Sequence, residues 1–488
     1  MPSLPQDAQG VEPHDTESLG FLSRFRRAVY AGLHARADAL FDLADAVLCA
    51  PGPVRSLAHL SLEPEYRRGH GALYDAVNAG GIAVARIRWA LDTVAIPRIH
   101  GRIVLGVDVS PWLRPDAPTS AQRLFCHTYG RAAGTSQMIP GWPYQVVAAL
   151  ETGRTSWTMV LDVVRLGPAH DATARSAHQL REVLQRLIAA GHWKPGDPAV
   201  EIVMDSGYDV TRLAFLLADL PVVLTGRVRS DRVMLGAAPA RCPGAIGRPA
   251  RHGAVFTLAA PPTWPEPEHR TTTETTRYGT ARTSAWHRMH PRLTRRAAWL
   301  EHPLGTDLPI IEGTLIRLEV EHLPGDRAPV PVWLWTSRPT PSPDQVDATW
   351  QGFLRRFDLE HTFRFLKQHL GWTTARLRDP GAADRWTWLV IVAYTQLRLA
   401  RGLVQDLRLP WERPTPPERL SPARVRRGFR YLRPKTALPA GAPKPTRAGP
   451  GRPPGTPNRR RAPRYEVGKT TKRAVSLTQH RQMTTTTG

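Results

Sequence analysis

The 488-residue chain is 41% hydrophobic and carries 66 Lys or Arg against 42 Asp or Glu, a formal net charge of +24. That length predicts two or three domains rather than one simple core, and the charge predicts a polyanionic partner, nucleic acid before an anionic membrane. No stretch approaches the ~20 apolar residues of a spanning helix, the polar start has no signal-peptide pattern, and Cys49, Cys126 and Cys242 are too scattered for a disulfide framework or a zinc module, so a cytoplasmic protein with no membrane partner is expected.

In chain order, residues 1–98 predict a small helical domain. Phe25, Val29, Leu33, Leu40, Leu43 and Val47 recur at near-helical spacing, and Pro51 and Pro53 stop that helix. Further helical pattern covers 72–78 and 84–91. Arg24, Arg26, Arg27, Arg36, Arg67 and Arg68 stud this domain, as contacts to a DNA backbone or as an ordinary basic surface. From residue 99 the pattern alternates between strands and helices. Residues 102–110 form a short apolar run with Asp108 inside it, and strands follow at 144–147 and 157–161, the second leading into Asp162. A helix at about 173–190 precedes the strand at 200–208, which carries Asp205 and a Ser206-Gly207 turn. Asp209 reads as a helix cap or as a carboxylate supporting Asp205. A helix at 211–218 and a strand at 221–225 complete the first part of the core, residues 99–226.

Residues 227–338 turn rich in Thr, Arg and Pro, with strands at 314–320 and 330–335, and predict a β-rich insertion. The core resumes over 339–408, where 376–401 reads as a helix. Residues 409–488 form a basic tail that from Pro434 holds 12 Lys or Arg and one Glu, a composition of disorder. Within it, Gly451-Arg452-Pro453 is similar to the centre of an AT-hook, and generic counterion-release binding is the alternative.

The most informative stretch is 353–367. Phe353, Arg356, Glu360 and Lys367 lie 3, 4 and 7 residues apart, within an arc of roughly 60° on one helix. Leu359, Phe363, Leu366 and Leu370 form a separate apolar stripe that would dock the helix on a core. A carboxylate between two cations is either a solvated ion pair or part of a site for metal and phosphate. The upstream aspartates favour the second, because a charge in a buried strand is costly unless it is paired or binds metal.

Asp108 on a first core strand, Asp205 in Asp-Ser-Gly-Tyr 97 residues later, and Glu360 a further 155 residues on resemble the DDE transposases of bacterial insertion sequences. Phe353-x2-Arg356-x3-Glu360-x6-Lys367 is similar to the Tyr-x2-Arg-x3-Glu-x6-Lys pattern of one cut-and-paste branch, with Phe353 in place of the tyrosine. The likeness runs from about residue 100 to 405. It implies an α/β fold: a ribonuclease-H-like mixed sheet with flanking helices, interrupted by the β-rich insertion and preceded by the helical domain. It further implies that Asp108, Asp205 and Glu360 are catalytic and hold two Mg2+ ions, with Asp108 as the bridge and Mn2+ as a substitute. Phe353, Arg356 and Lys367 would contact DNA. Asp162 resembles Asp108 in its surroundings, and only the likeness separates them. Trp333 and Trp335 would be core, or would stack on a displaced base as in hairpin-forming relatives. The implied partners are double-stranded DNA, as element ends and target, and a second copy of the chain on that DNA, with the protein associated with the nucleoid. No nucleotide cofactor is expected, since Gly468-Lys469-Thr470 lacks the upstream glycine of a P-loop.

Overall fold

In the computed structural model, which describes residues 13–129, 136–152, 155–244, 246–300, 302–323, 328–444 and 461–470, two helices replace the single N-terminal one expected: Pro13–Ala31 (α1) and Ala37–Cys49 (α2). Between them Leu33–Ala35 (β1) pairs with Gly81–Ile82 (β2), and Arg36 adopts a left-handed φ of 56°. The apolar spacing runs across this break because periodicity records which side chains are buried and not how the backbone turns. Short helices Leu57–Leu60 (α3), His70–Ala79 (α4) and Val84–Asp92 (α5) complete the layer.

Four of the six arginines expected on its surface are engaged within the protein. Arg26 is buried against Asp45, Arg36 pairs with Asp75, and Arg67 and Arg68 pair with Asp42. Arg24 and Arg27 are exposed and form no ion pair among the described residues.

The core holds the predicted elements in order with one strand that was not expected, β4: Val104–Leu113 (β3), Leu124–Tyr129 (β4), Ser136–Leu150 (β5), Thr158–Arg165 (β6), Ala172–Ala189 (α6), Val200–Met204 (β7), Val210–Leu216 (α7) and Val222–Val228 (β8). Asp171 caps α6 and Asp209 caps α7, each accepting a backbone N–H at 3.1 Å, which settles Asp209 as a cap. A small pair, Val233–Leu235 (β9) and Val255–Thr257 (β10), opens the segment expected to be an insertion, and His269–Thr275 (β11), Gly279–Met289 (β12), Gly313–Val320 (β13) and Val332–Thr336 (β14) follow.

These last four strands extend the core sheet. β14 pairs with β8, Trp333 facing Val228 and Thr336 facing Thr225. The result is a ten-stranded mixed sheet in the order β11-β12-β13-β14-β8-β7-β3-β5-β4, with β6 also on β5. Pairing with β14 satisfies a backbone edge that β8 would otherwise expose. Helices Pro343–Arg355 (α8), Phe357–Gln368 (α9), Pro380–Leu399 (α10) and Pro422–Leu432 (α11) follow. Ser342 and Gln345 form a reciprocal capping box at the start of α8, and Asp379 caps α10 just ahead of Pro380. α10 lies against α1, α2, α4 and α11, so the N-terminal layer and the core share it. A large mixed sheet flanked by helices is the expected α/β class and is compatible with a ribonuclease-H-like core.

Trp333 is buried among Phe256, Trp264 and Trp286, and Trp335 donates its indole N–H to Met289 O at 2.9 Å, so both tryptophans are core. Part of the tail is also placed. Ala437 O accepts from Arg26 Nε at 2.7 Å, Ala440 is buried, and Gly468 N–H donates to Arg123 O beside β4. The expected disorder therefore does not hold for 434–444 and 461–470, because internal arginines and an exposed strand edge supply partners that composition does not reveal. Gly451-Arg452-Pro453 lies outside the described residues.

Candidate active site

Parallel strands β3 and β7 align Val107 with Met204. The next residues, Asp108 within β3 and Asp205 just past the carboxyl end of β7, therefore stand side by side. Gly106 lets α9 approach, since a Cβ there would stand 2.8 Å from Leu359 Cδ1. The predicted stripe of Leu359, Phe363, Leu366 and Leu370 is buried, which turns Glu360 to the same side as the two aspartates.

The helix expected to run through 353–367 is broken at Arg356, which separates α8 from α9. Its N–H donates to Phe353 O at 3.0 Å, a tight i to i−3 turn. Arg356 itself keeps helical φ and ψ of −55° and −29°, and its guanidinium meets all three carboxylates. Arg356 Nη1 stands 2.8 Å from Asp108 Oδ2, and Nη2 stands 4.0 Å from Asp205 Oδ1 and 3.7 Å from Glu360 Oε1. The Arg356 side chain is 5% exposed and that of Glu360 52%. The structure thus brings together Asp108, Asp205, Glu360 and Arg356.

Phe353 lies beneath the Arg356 guanidinium. It is 3% exposed, and Arg356 lies over its ring at 5.7 Å and over that of Phe357 at 5.3 Å. The two rings hold the guanidinium by cation–π attraction, a structural role where DNA contact was expected. Lys367 is at the margin of the site, donating to Pro111 O at 3.1 Å, and burial lowers its ammonium to about 8. Burial pushes the Asp108 carboxyl up to about 6, against the opposing pull of Arg356 and of the Val109 N–H that Asp108 accepts at 2.8 Å. Asp162, the competitor for Asp108, is fully buried in a bidentate pair with Arg88 of α5 at 2.9 and 3.0 Å and faces away from this group.

Among the described residues no three His, Cys, Asp or Glu side chains stand together as a ready metal site. Here the guanidinium fills the centre of the carboxylate group. The donor set nonetheless fits a hard divalent cation: it is all oxygen and already gathered round a positive charge, and Asp205 Oδ1 is buried with no hydrogen-bond partner. For these carboxylates to hold a metal ion, Arg356 must leave the centre.

Read from the sequence, Tyr208 ends the segment that carries Asp205, in Asp-Ser-Gly-Tyr, and has no assigned role. The Tyr208 N–H donates to Asp205 O, folding the residue back, and its hydroxyl is buried without a hydrogen-bond partner. Burial raises its pKa well above the ordinary value, with Asp108 and Asp205 adding to the rise and Arg356 opposing it. The available signal was an aromatic hydroxyl three residues after a strand-end aspartate.

The family described as DDE superfamily endonuclease matches residues 28–292, a span that includes Asp108 and Asp205 and ends before Glu360. No curated protein matches the chain. With more than half of its 488 residues matched, and with two acidic residues of that span meeting a third from α9, the chain belongs to the DDE superfamily endonucleases, enzymes that cleave DNA and typically use divalent metal ions.

Proposed function

We propose that the protein is a DNA transposase that cuts at the ends of an insertion sequence and joins the freed 3′-hydroxyls to target DNA. The observation that carries this reading is the convergence of Asp108, Asp205 and Glu360, from two strands and a helix far apart in the chain, on a single cationic group. These three would hold two Mg2+ ions, or Mn2+ in their place, which when bound supply activation of the attacking oxygen and stabilisation of the leaving one.

The chain's own cations act on the phosphate. Arg356, drawn from the carboxylates towards a more mobile anion, pairs with phosphate oxygens through its planar fork. Lys367 adds a point charge beside them. Because burial holds its ammonium at about 8, the proton is present below that pH and lost above it, so end binding should weaken as pH rises through about 8. Lys367→Arg should remove that fall, and an unchanged pH profile in this variant would exclude Lys367 as the cause. Joining two ends requires two active sites in one assembly, so a homodimer on double-stranded DNA is expected.

The test uses labelled DNA carrying the flanking element ends, with Mg2+ or EDTA, comparing wild type with Glu360→Gln. Glutamine keeps the side-chain size and removes the charge that would hold metal. Joined products that require Mg2+ and vanish in Glu360→Gln are expected. Cleavage without joining would make the protein a nuclease, and binding without cleavage a DNA-binding protein of transposase descent.

A further inference from the structure

We propose that Tyr208 is a catalytic residue whose hydroxyl donates a hydrogen bond to a non-bridging oxygen of the phosphate being cleaved. The inference rests on the DNA-cleaving reading above. A buried hydroxyl with no partner is rare, since leaving one unsatisfied is costly. The Tyr208 hydroxyl is buried without a partner, and Asp205 Oδ1 and Arg356 Nε of the carboxylate group also lack hydrogen-bond partners. A buried donor that no protein group satisfies, on the residue whose N–H folds back on Asp205, indicates a partner from outside the protein.

The chemistry of that partner follows from the surroundings. The charged groups that act on the hydroxyl are Asp108, Arg356 and Asp205. Asp108 already accepts from Val109 N–H and from Arg356, so its oxygens are engaged without Tyr208. Burial keeps the phenol protonated, which makes it a donor suited to an anionic acceptor. A phosphate oxygen brought to Asp108 and Asp205 for cleavage is such an acceptor, and negative charge builds on it as the attacking oxygen adds. The proton stays on the phenol throughout, so no further reactant is needed. Asp205 and Tyr208 are joined by one tight turn, closed by the Tyr208 N–H on Asp205 O.

The decisive variant is Tyr208→Phe, which keeps the ring and removes only the oxygen. Its cleavage rate constant should fall about 100-fold, the usual loss for one donor to a developing oxyanion. Its melting temperature should equal or exceed that of wild type, because a buried unsatisfied group has been removed. Binding of element ends in EDTA should fall far less than the cleavage rate. Substrates with sulfur at one or the other non-bridging position of the scissile phosphate identify the contact. One diastereomer should slow wild type but add little to the loss in Tyr208→Phe, and the other should slow both enzymes equally. Wild-type cleavage by Tyr208→Phe, a lowered melting temperature that accounts for the loss, or equal sulfur effects in both enzymes with both diastereomers would overturn the assignment. Failure of wild type to cleave at all would instead count against the transposase reading.

Discussion

Replacing Arg356 with glutamine should destabilise the protein in EDTA by about 3 kcal/mol and make its melting temperature respond strongly to Mg2+. The guanidinium is buried and is the only cation in contact with Asp108, Asp205 and Glu360 among the described residues. Without it three carboxylates face one another, and the partly buried Asp108 loses the partner that offsets its desolvation. A divalent ion can then bind without competition and restore the lost stability, by an increment that grows with its concentration. In wild type the same ion must first displace a tethered guanidinium, so Mg2+ should change the melting temperature little until DNA is added. Cleavage should nevertheless be lost in Arg356→Gln, since the phosphate loses its bidentate partner. Thermal melts over a Mg2+ series, with and without DNA, test this. Equal Mg2+ responses in the two proteins would mean that Arg356 does not compete for the carboxylates.

A second large effect is expected far from the site. Arg26→Ala should cost about 3–5 kcal/mol, enough to open the N-terminal layer. Arg26 is fully buried and makes a bidentate pair with Asp45 at 2.8 and 2.9 Å, while also donating to Gln396 of α10 and to Ala437 O in the tail. Alanine would strand those acceptors in a dry interior, with only Arg433 left on Asp45 at 3.1 Å. Arg24, exposed on the same helix, is the control, and Arg24→Ala should change stability by less than about 0.5 kcal/mol. Urea unfolding followed by tryptophan fluorescence separates the two. Equal stability of both variants would show that the Arg26 network contributes nothing.

The parts of the fold legible from sequence were those with a strong local signature. β3 and β7 read as buried strands because apolar runs leave no polar face, and the aspartates were conspicuous within them. The docking stripe of α9 was equally plain. The break at Arg356 was not, because Phe353 to Glu360 contains neither Gly nor Pro and the turn is held by a contact to Asp108, 248 residues earlier. The same limit applies to the N-terminal arginines, whose partners Asp42, Asp45 and Asp75 are chosen by tertiary packing. The alternation of 314–320 identified a strand but not the sheet it joins, which depends on the free edge of β8. Phe353 does share a face with Arg356, as helical spacing requires, but its ring is buried beneath the guanidinium.

The separation of the site's parts along the chain has a consequence for protein synthesis. Between Asp205 and Glu360 the ribosome must add 155 residues, which at ordinary rates takes roughly 8–30 s. For most of that interval Asp108 and Asp205 have been made, while β14, which covers the edge of β8, and α9, which delivers Glu360, come only towards its end. The nascent chain is therefore a sheet with an open edge and two unneutralised acids, dependent on later residues for both cover and countercharge. An enzyme assembled in this order has no complete cutting centre until most of its length has been translated.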